Sequence, residues 1–170
     1  MVRHTDSLLF AWRIAEIEAI HSGSKLTEPA HLFIGLLKIV DIDLDKVLAH
    51  NTILNRSSVK REVRVLNDCF GEFLLQTTAI RRRLRKYLAK EMPSSFPRRL
   101  RRSTRSREVF GMAEKLAESA EGLVHPLHLL AALLQGQDPT IESILEEAGC
   151  FPTEFRRYVT SQLPKLLHRI

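Results

Sequence analysis

The sequence predicts an all-α fold in which two four-helix repeats, related by a pseudo-twofold axis, share one globular domain. Three observations carry that expectation. The phrase "TEPAHLFIGLL", Thr27 to Leu37, returns as "VHPLHLLAALL", Val124 to Leu134. A stripe of alanines at helical spacing precedes each copy. No run alternates with the period of two that a half-buried strand needs. A four-helix unit of this size buries its apolar faces poorly alone, so pairing two of them completes a core. The 170 residues, 44% apolar and 27% charged, suffice for one such domain.

The elements follow in order. Thr5 or Asp6 can cap a first helix, since either side chain accepts an orphan backbone N–H. Ala11, Ala15 and Ala19 then recur at four-residue spacing, with Leu8, Trp12, Ile14 and Ile17 alongside. A stripe of small residues lets a second helix approach closely. "HSGSK" ends the first helix. Pro29 opens the second, because the N–H that proline lacks has no intrahelical partner in the first turn. Leu32, Phe33, Leu36 and Leu37 mark its buried face. "DIDLDKVLAH" gives a third short helix and "SSVKREVRVLNDCF" a fourth. The second half repeats this order. Ala113, Ala117 and Ala120 form the stripe, Gly122 breaks it, and Pro126 opens a helix whose Leu129, Leu130, Leu133 and Leu134 match the first set at an offset of 97. "TIESILEEAG" is the third helix, with Gly149 at its C-terminal end, and "PTEFRRYVTSQL" is the fourth. The expected organisation is a domain at 1–163, with repeat 1 at about 5–69, a basic insert at about 72–102 and repeat 2 at about 103–163, then a tail at 164–170.

The insert begins with "FLLQTTAIRRRLRKYLAK", read as an additional helix, apolar and then basic. "EMPSSFPRRLRRSTRSR" follows as an exposed linker, because Pro93 and Pro97 exclude a continuous helix. From Arg81 to Arg107 there are 12 Lys/Arg and one acid, Glu91, so a net charge of +6 conceals a local +11 on an otherwise mildly acidic chain. The basic patch comprises Arg81, Arg82, Arg83, Arg85, Lys86, Arg98, Arg99, Arg101 and Arg102. Such a segment can contact phosphates. With only Tyr87 and Phe96 interleaved, stacking on single-stranded nucleic acid has little support. Acidic protein partners suit it better.

The sequence argues against an enzyme. There is no Gly-x-Ser-x-Gly elbow, and "GSK" at 23–25 has Ser and Lys in the wrong order for a phosphate-binding loop. His125 and His128 flank Pro126 without a partnering Cys or acid, so no metal site and no cofactor are expected. His31 and His128 read instead as imidazoles bonded to the preceding loop. Cys69 and Cys150 form no CxxC pair and read as ordinary buried thiols, as in a reducing cytoplasm. No apolar run approaches the roughly 20 residues of a membrane span.

The doubled phrase resembles the N-terminal domain of Clp/Hsp100 chaperones, the Clp N repeat. "HLFIGLL" and "HLLAALL" match the family's second helix, "IESILEEAGCFPTEFRRYV" its last two, and Thr5-Asp6 its helix-opening "TD". The resemblance implies a stand-alone protein-interaction module, lacking the AAA+ ring, that docks a Clp ATPase or protease subunit, a substrate or an adaptor. Some members hold phosphorylated arginine through the Glu of a "TEH" in each repeat. Aligned on the His, those positions here are Ala30 and Leu127, so that ligand is not carried over. An apolar peptide or helix is expected between the repeats instead, lined by His4, Thr5, Ala30 and Leu127. The alternative is a nucleic-acid-associated protein acting through 81–107.

Overall fold

The structure, a computed structural model, describes residues 3–49, 55–93, 95, 100–118 and 122–166. Repeat 1 comprises β1 (Arg3–His4), α1 (Asp6–His21), β2 (Leu26–Thr27), α2 (Pro29–Ile39), α3 (Leu44–Leu48) and α4 (Arg56–Glu72). The inserted α5 (Thr77–Leu88) follows. Repeat 2 comprises β3 (Arg101–Arg102), α6 (Thr104–Ala117), β4 (Leu123–Val124), α7 (Pro126–Gln135), α8 (Pro139–Glu147) and α9 (Pro152–Gln162).

Local chemistry sets the helix ends. Thr5 caps α1, its hydroxyl accepting the Leu8 N–H at 3.4 Å, and Ser103 caps α6 in the same way through the Ser106 N–H at 3.2 Å. The matched prolines begin α2 and α7. In each, the histidine at the third position reaches back to the cap. His31 Nδ1 accepts the Glu28 N–H at 3.0 Å, and His128 Nδ1 accepts the His125 N–H at 3.1 Å. Gly149, with φ +79°, ends α8, and the Cys150 N–H closes back on the Leu145 carbonyl at 2.9 Å.

The alanine stripe does what its spacing implies. Ala11, Ala15 and Ala19 are buried against α2, where a Cβ on Gly35 would lie 2.3 Å from the Ala11 carbonyl oxygen. Glycine is what lets these two helices touch. Ala113 and Ala117 are buried in repeat 2, and Ala120 lies outside the described residues.

The halves also clasp through short strands, which two residues cannot announce as a sequence period. β1 pairs in parallel with β4, and β2 with β3. The segment leading into the first helix of each repeat is thereby bonded to the segment leading into the second helix of the other. The core is continuous across both halves. Phe33 of α2 meets Phe70 of α4, which meets Phe155 of α9.

The insert departs from its expected form. The chain turns at Leu74 (φ +52°), so α5 starts at Thr77 rather than near Phe73. Phe73 instead packs edge-on against Phe155 and Tyr158. Ile80 and Leu84 are buried, holding α5 on α2 and α8. Beyond it, Arg101 and Arg102 are not a free linker but the strand β3. Arg98 and Arg99 lie outside the described residues.

Candidate docking surface and the polar clusters around it

Where the two proline-led helices begin, the seam between the repeats is buried. Ala30 and Leu127 sit at the second positions of α2 and α7, 3% and 2% exposed. Both side chains belong to the hydrophobic core. Thr5 is buried as the α1 cap. Of the four expected residues only His4 reaches the surface. Its ring stands edge-on to Phe110, and its Nε2 lies 3.4 Å from Glu114 Oε1 without hydrogen-bond alignment.

Beside His4 is a stack that bridges the halves. The Arg102 guanidinium lies 4.7 Å from the Trp12 ring of α1 and 4.5 Å from the Phe110 ring of α6, and the two rings are 5.2 Å apart. Planar, weakly hydrated arginine suits this position between ring faces. Arg102 of β3 thus bridges α1 and α6.

The outward side of α1 carries three exposed apolar side chains on one helix. Leu9, Ile17 and Ile20 are 44%, 39% and 37% exposed, with the Arg13–Glu16 ion pair among them at 2.8 Å. At 100° per residue these side chains share one face, opposite the stripe that packs on α2. A helix apolar on both faces has more apolar surface than its own core uses. Ile17 was expected beside the buried stripe. The legible signal for the ridge was the surplus itself, since one buried face accounts for only part of the apolar residues in "SLLFAWRIAEIEAI".

Beneath the α1 N-terminus lies a buried polar cluster. Ser7 Oγ donates to Glu62 Oε2, Ser58 Oγ donates to Glu62 Oε1 at 2.9 Å, and His125 Nδ1 stands 3.3 Å from Glu62 Oε2. Burial acts to raise the Glu62 pKa. The neighbouring imidazole of His125 and the Ser7 and Thr5 hydroxyls outweigh it and hold the carboxyl below its ordinary range. The serine hydroxyl is turned to the carboxylate. That reverses the order in which an imidazole takes a nucleophile's proton. The cluster ties α1 and α4 to the start of α7. Among the described residues no group of three or more His, Cys, Asp or Glu is placed to hold a metal ion.

Three members of the basic patch are paired from within. Arg81 pairs with Asp41 at 2.6 Å, Arg83 lies 3.5 Å from Glu147, and Arg85 binds Glu18 through two bonds of 2.8 and 2.6 Å. Each carboxylate comes from a distant element, so the count of +11 could not reveal the pairing. Arg82, Lys86 and Arg101 are exposed. Among the described residues Arg82 and Lys86 have no ion-pair partner, and they lie one turn apart on the outer face of α5.

No protein-family model matches the chain, and no curated protein matches its sequence. Solved structures do match. The Hsp104 N-terminal domain from Candida albicans superposes with a TM-score of 0.65, covering 95% of this chain and 91% of that one at 18% identity. A structure described as a preliminary investigation of a malarial protein secretion system gives 0.65, with 98% and 99% coverage at 15% identity. The chain has the Clp N-terminal-domain fold. The N-terminal domain of ClpD, a caseinolytic-protease-associated chaperone of Arabidopsis thaliana, matches over 95% of both chains with a TM-score of 0.56 and 16% identity.

Within this Clp N-terminal-domain fold, the doubled histidine-bearing helix start is a structural device. His31 Nε2 meets Ser22 Oγ at 2.9 Å while its Nδ1 accepts a backbone N–H, which fixes the tautomer as Nε2–H. Burial first, and then the nearby Lys90 ammonium, lower the His31 pKa to about 4. Burial and His125 do the same for His128. Both are neutral at pH 7. No helix among the described residues is long and apolar enough to cross a membrane.

Proposed function

We propose that this chain is a non-enzymatic docking module of a Clp-type chaperone–protease system, engaging an apolar segment of a Clp subunit, substrate or adaptor. The observation that carries the reading is the exposed ridge Leu9–Ile17–Ile20 on α1. It stands on a helix whose opposite face is locked into the core, so the ridge is presented rigidly and binding loses little entropy. The fold supports the reading too, since the solved structures it matches include N-terminal domains of chaperones of that class. His4, beside the Trp12–Arg102–Phe110 stack, lies close to the N-terminal end of the same helix.

The test is capture of purified Clp ATPase, Clp protease subunit and Clp substrate by the immobilised chain, compared with its Leu9→Glu/Ile17→Glu variant. Both substitutions face solvent, so the fold is expected to survive, as circular dichroism would verify. Capture by the parent and its loss in the variant are expected. No capture by either, or equal capture by both, refutes the reading. The nucleic-acid alternative rests on Arg82, Lys86 and Arg101, since Arg81, Arg83 and Arg85 are held by the protein's own acids and Arg102 by two rings. It is the weaker of the two readings.

A further inference from the structure

The repeats differ in one respect that the shared plan does not require. The alanines Ala15/Ala113 and Ala19/Ala117 set the register of the first helices, so Glu18 corresponds to Leu116. Leu116 packs against the core, whereas Glu18 is a carboxylate only 3% exposed. A buried charge is costly where an apolar residue serves in the sister repeat. What surrounds Glu18 is a cavity of about 370 Å³ between α1, α2 and α5. Its wall on one side is the inserted helix, pinned at its end where the Lys90 N–H donates to the Ser22 carbonyl at 2.9 Å. None of Leu9, Ile17 and Ile20 lines this cavity, so it is separate from the apolar ridge.

The hydrogen-bonding balance of the cavity decides what it can hold. Glu18 Oε1 accepts from Lys38 Nζ at 3.2 Å and from Arg85 Nη2 at 2.6 Å, and Oε2 accepts from Arg85 Nε at 2.8 Å. The carboxylate is satisfied, and a cationic ligand finds no free acceptor there. The cations are not exhausted. Arg85 retains three N–H groups and Lys38 two, and both side chains remain partly open to solvent. One carboxylate against two cations leaves one positive charge in excess. Ile34 and Leu88 supply apolar wall, and the Ser22 hydroxyl sits at the edge. Spare donors, excess positive charge and apolar wall together fit an anion carried on a small apolar group.

We propose that this cavity is a carboxylate-binding site, with Lys38 and Arg85 taking the carboxylate while Ile34 and Leu88 cover a short aliphatic substituent. The carboxylate can belong to a small organic acid or to the C-terminus of a polypeptide, which the arms of the experiment separate. The site is independent of the docking reading.

The test is a titration of the ¹⁵N-labelled full chain, followed at the backbone amides of Ser22 and Ala89 and the Arg85 Nε–H. The probes are N-acetylalanine, N-acetylalanine amide, a five-residue peptide with a free C-terminal alanine, its amidated form, and inorganic phosphate. Saturable shifts are expected for free carboxylates only, with a Kd on the order of 1 mM or tighter. Response to the peptide alone assigns a chain terminus, and response to N-acetylalanine assigns a small acid as sufficient. Lys38→Met, which keeps the Glu18–Arg85 pair, is expected to weaken binding at least fivefold. Ala89→Glu, at the cavity mouth, is expected to abolish it. Arg82→Gln, on the outer face of α5, should leave it unchanged. Equal binding of amide and acid, binding of phosphate with no response to carboxylates, unchanged affinity in Lys38→Met, or no saturable shift at all overturns the proposal. The last outcome would leave Glu18 as a clamp for α5.

Discussion

Acid should unfold this protein chiefly through two histidines that occupy the same place in each repeat. His31 and His128 have ordinary imidazole pKa values of 6.5 when unfolded and about 4 when folded. Burial is the main cause. The hydrogen bonding adds a specific one, because each Nδ1 accepts a backbone N–H, and a proton there would set two donors against each other. Lys90 opposes charge on His31 while Glu18 favours it, and His125 opposes charge on His128. As pH falls below 6.5 the unfolded chain takes up both protons and the native state takes up neither until about 4. Stability is therefore lost across the window from 6.5 to about 4. A fall from 6.5 to about 4 in both histidines corresponds to about 7 kcal/mol for the two together. Against a total stability of about 5–15 kcal/mol, that brings the midpoint of acid unfolding inside the window when the total lies near the lower end of the range.

The assay is urea denaturation at half-unit pH steps, comparing the parent with the His31→Gln/His128→Gln variant. Glutamine at the third helical position can still reach the cap N–H but does not titrate. The parent should lose up to about 2.7 kcal/mol per pH unit more steeply than the variant between pH 6 and 4.5. The variant should be the less stable at pH 7.5, through imperfect packing, and the more stable at pH 4.5. Curves that stay parallel over this range would refute the assignment. Glu18, Glu62 and Asp41, whose pKa values are lowered, contribute only below about 4.5 and act equally in both proteins.

Three further outcomes are expected. Gly35→Ala forces a Cβ to within 2.3 Å of the Ala11 carbonyl, so α1 and α2 must separate, at a cost of about 1–3 kcal/mol read as a lower urea midpoint. Glu62→Ala leaves Ser7 and Ser58 without their acceptor and should cost about 3 kcal/mol, measured in the same way. In gel shifts the chain should bind duplex DNA no better than a non-specific cationic surface, with a shallow dependence on salt. A slope equivalent to six or more phosphates would show that the internal ion pairs open to bind.

How much of this was legible in the sequence depended on whether the cause was local. The alanine stripes as far as Ala117, the proline helix starts, the Gly149 stop and the leucine faces report their own surroundings within one or two turns, and the structure has them where the spacing put them. The parallel pairs β1–β4 and β2–β3 left no trace, because each strand is two residues long and its partner is about a hundred residues away. The burial of Ala30 and Leu127 was hidden for a related reason. Comparison with a family position shows which residue stands there, but not how tightly two halves close over it. The basic end of the inserted helix gave no sign of its ion pairs, because a charge count cannot foresee Asp41, Glu147 and Glu18 arriving from elsewhere in the chain.

The insert is also where the two halves stop being equivalent. A duplicated core needs only apolar complementarity, and Phe33, Phe70 and Phe155 supply it across the repeats. α5 adds a surface with no counterpart in repeat 2, and Ile80 and Leu84 bury against the core through ordinary hydrophobic packing. That packing would hold the helix without any buried carboxylate. The Glu18–Arg85 pair adds to that packing, and Lys38 and Arg85 line a cavity beside it. Duplication built the scaffold. The charged residues that break its symmetry are the ones whose presence stability alone does not explain.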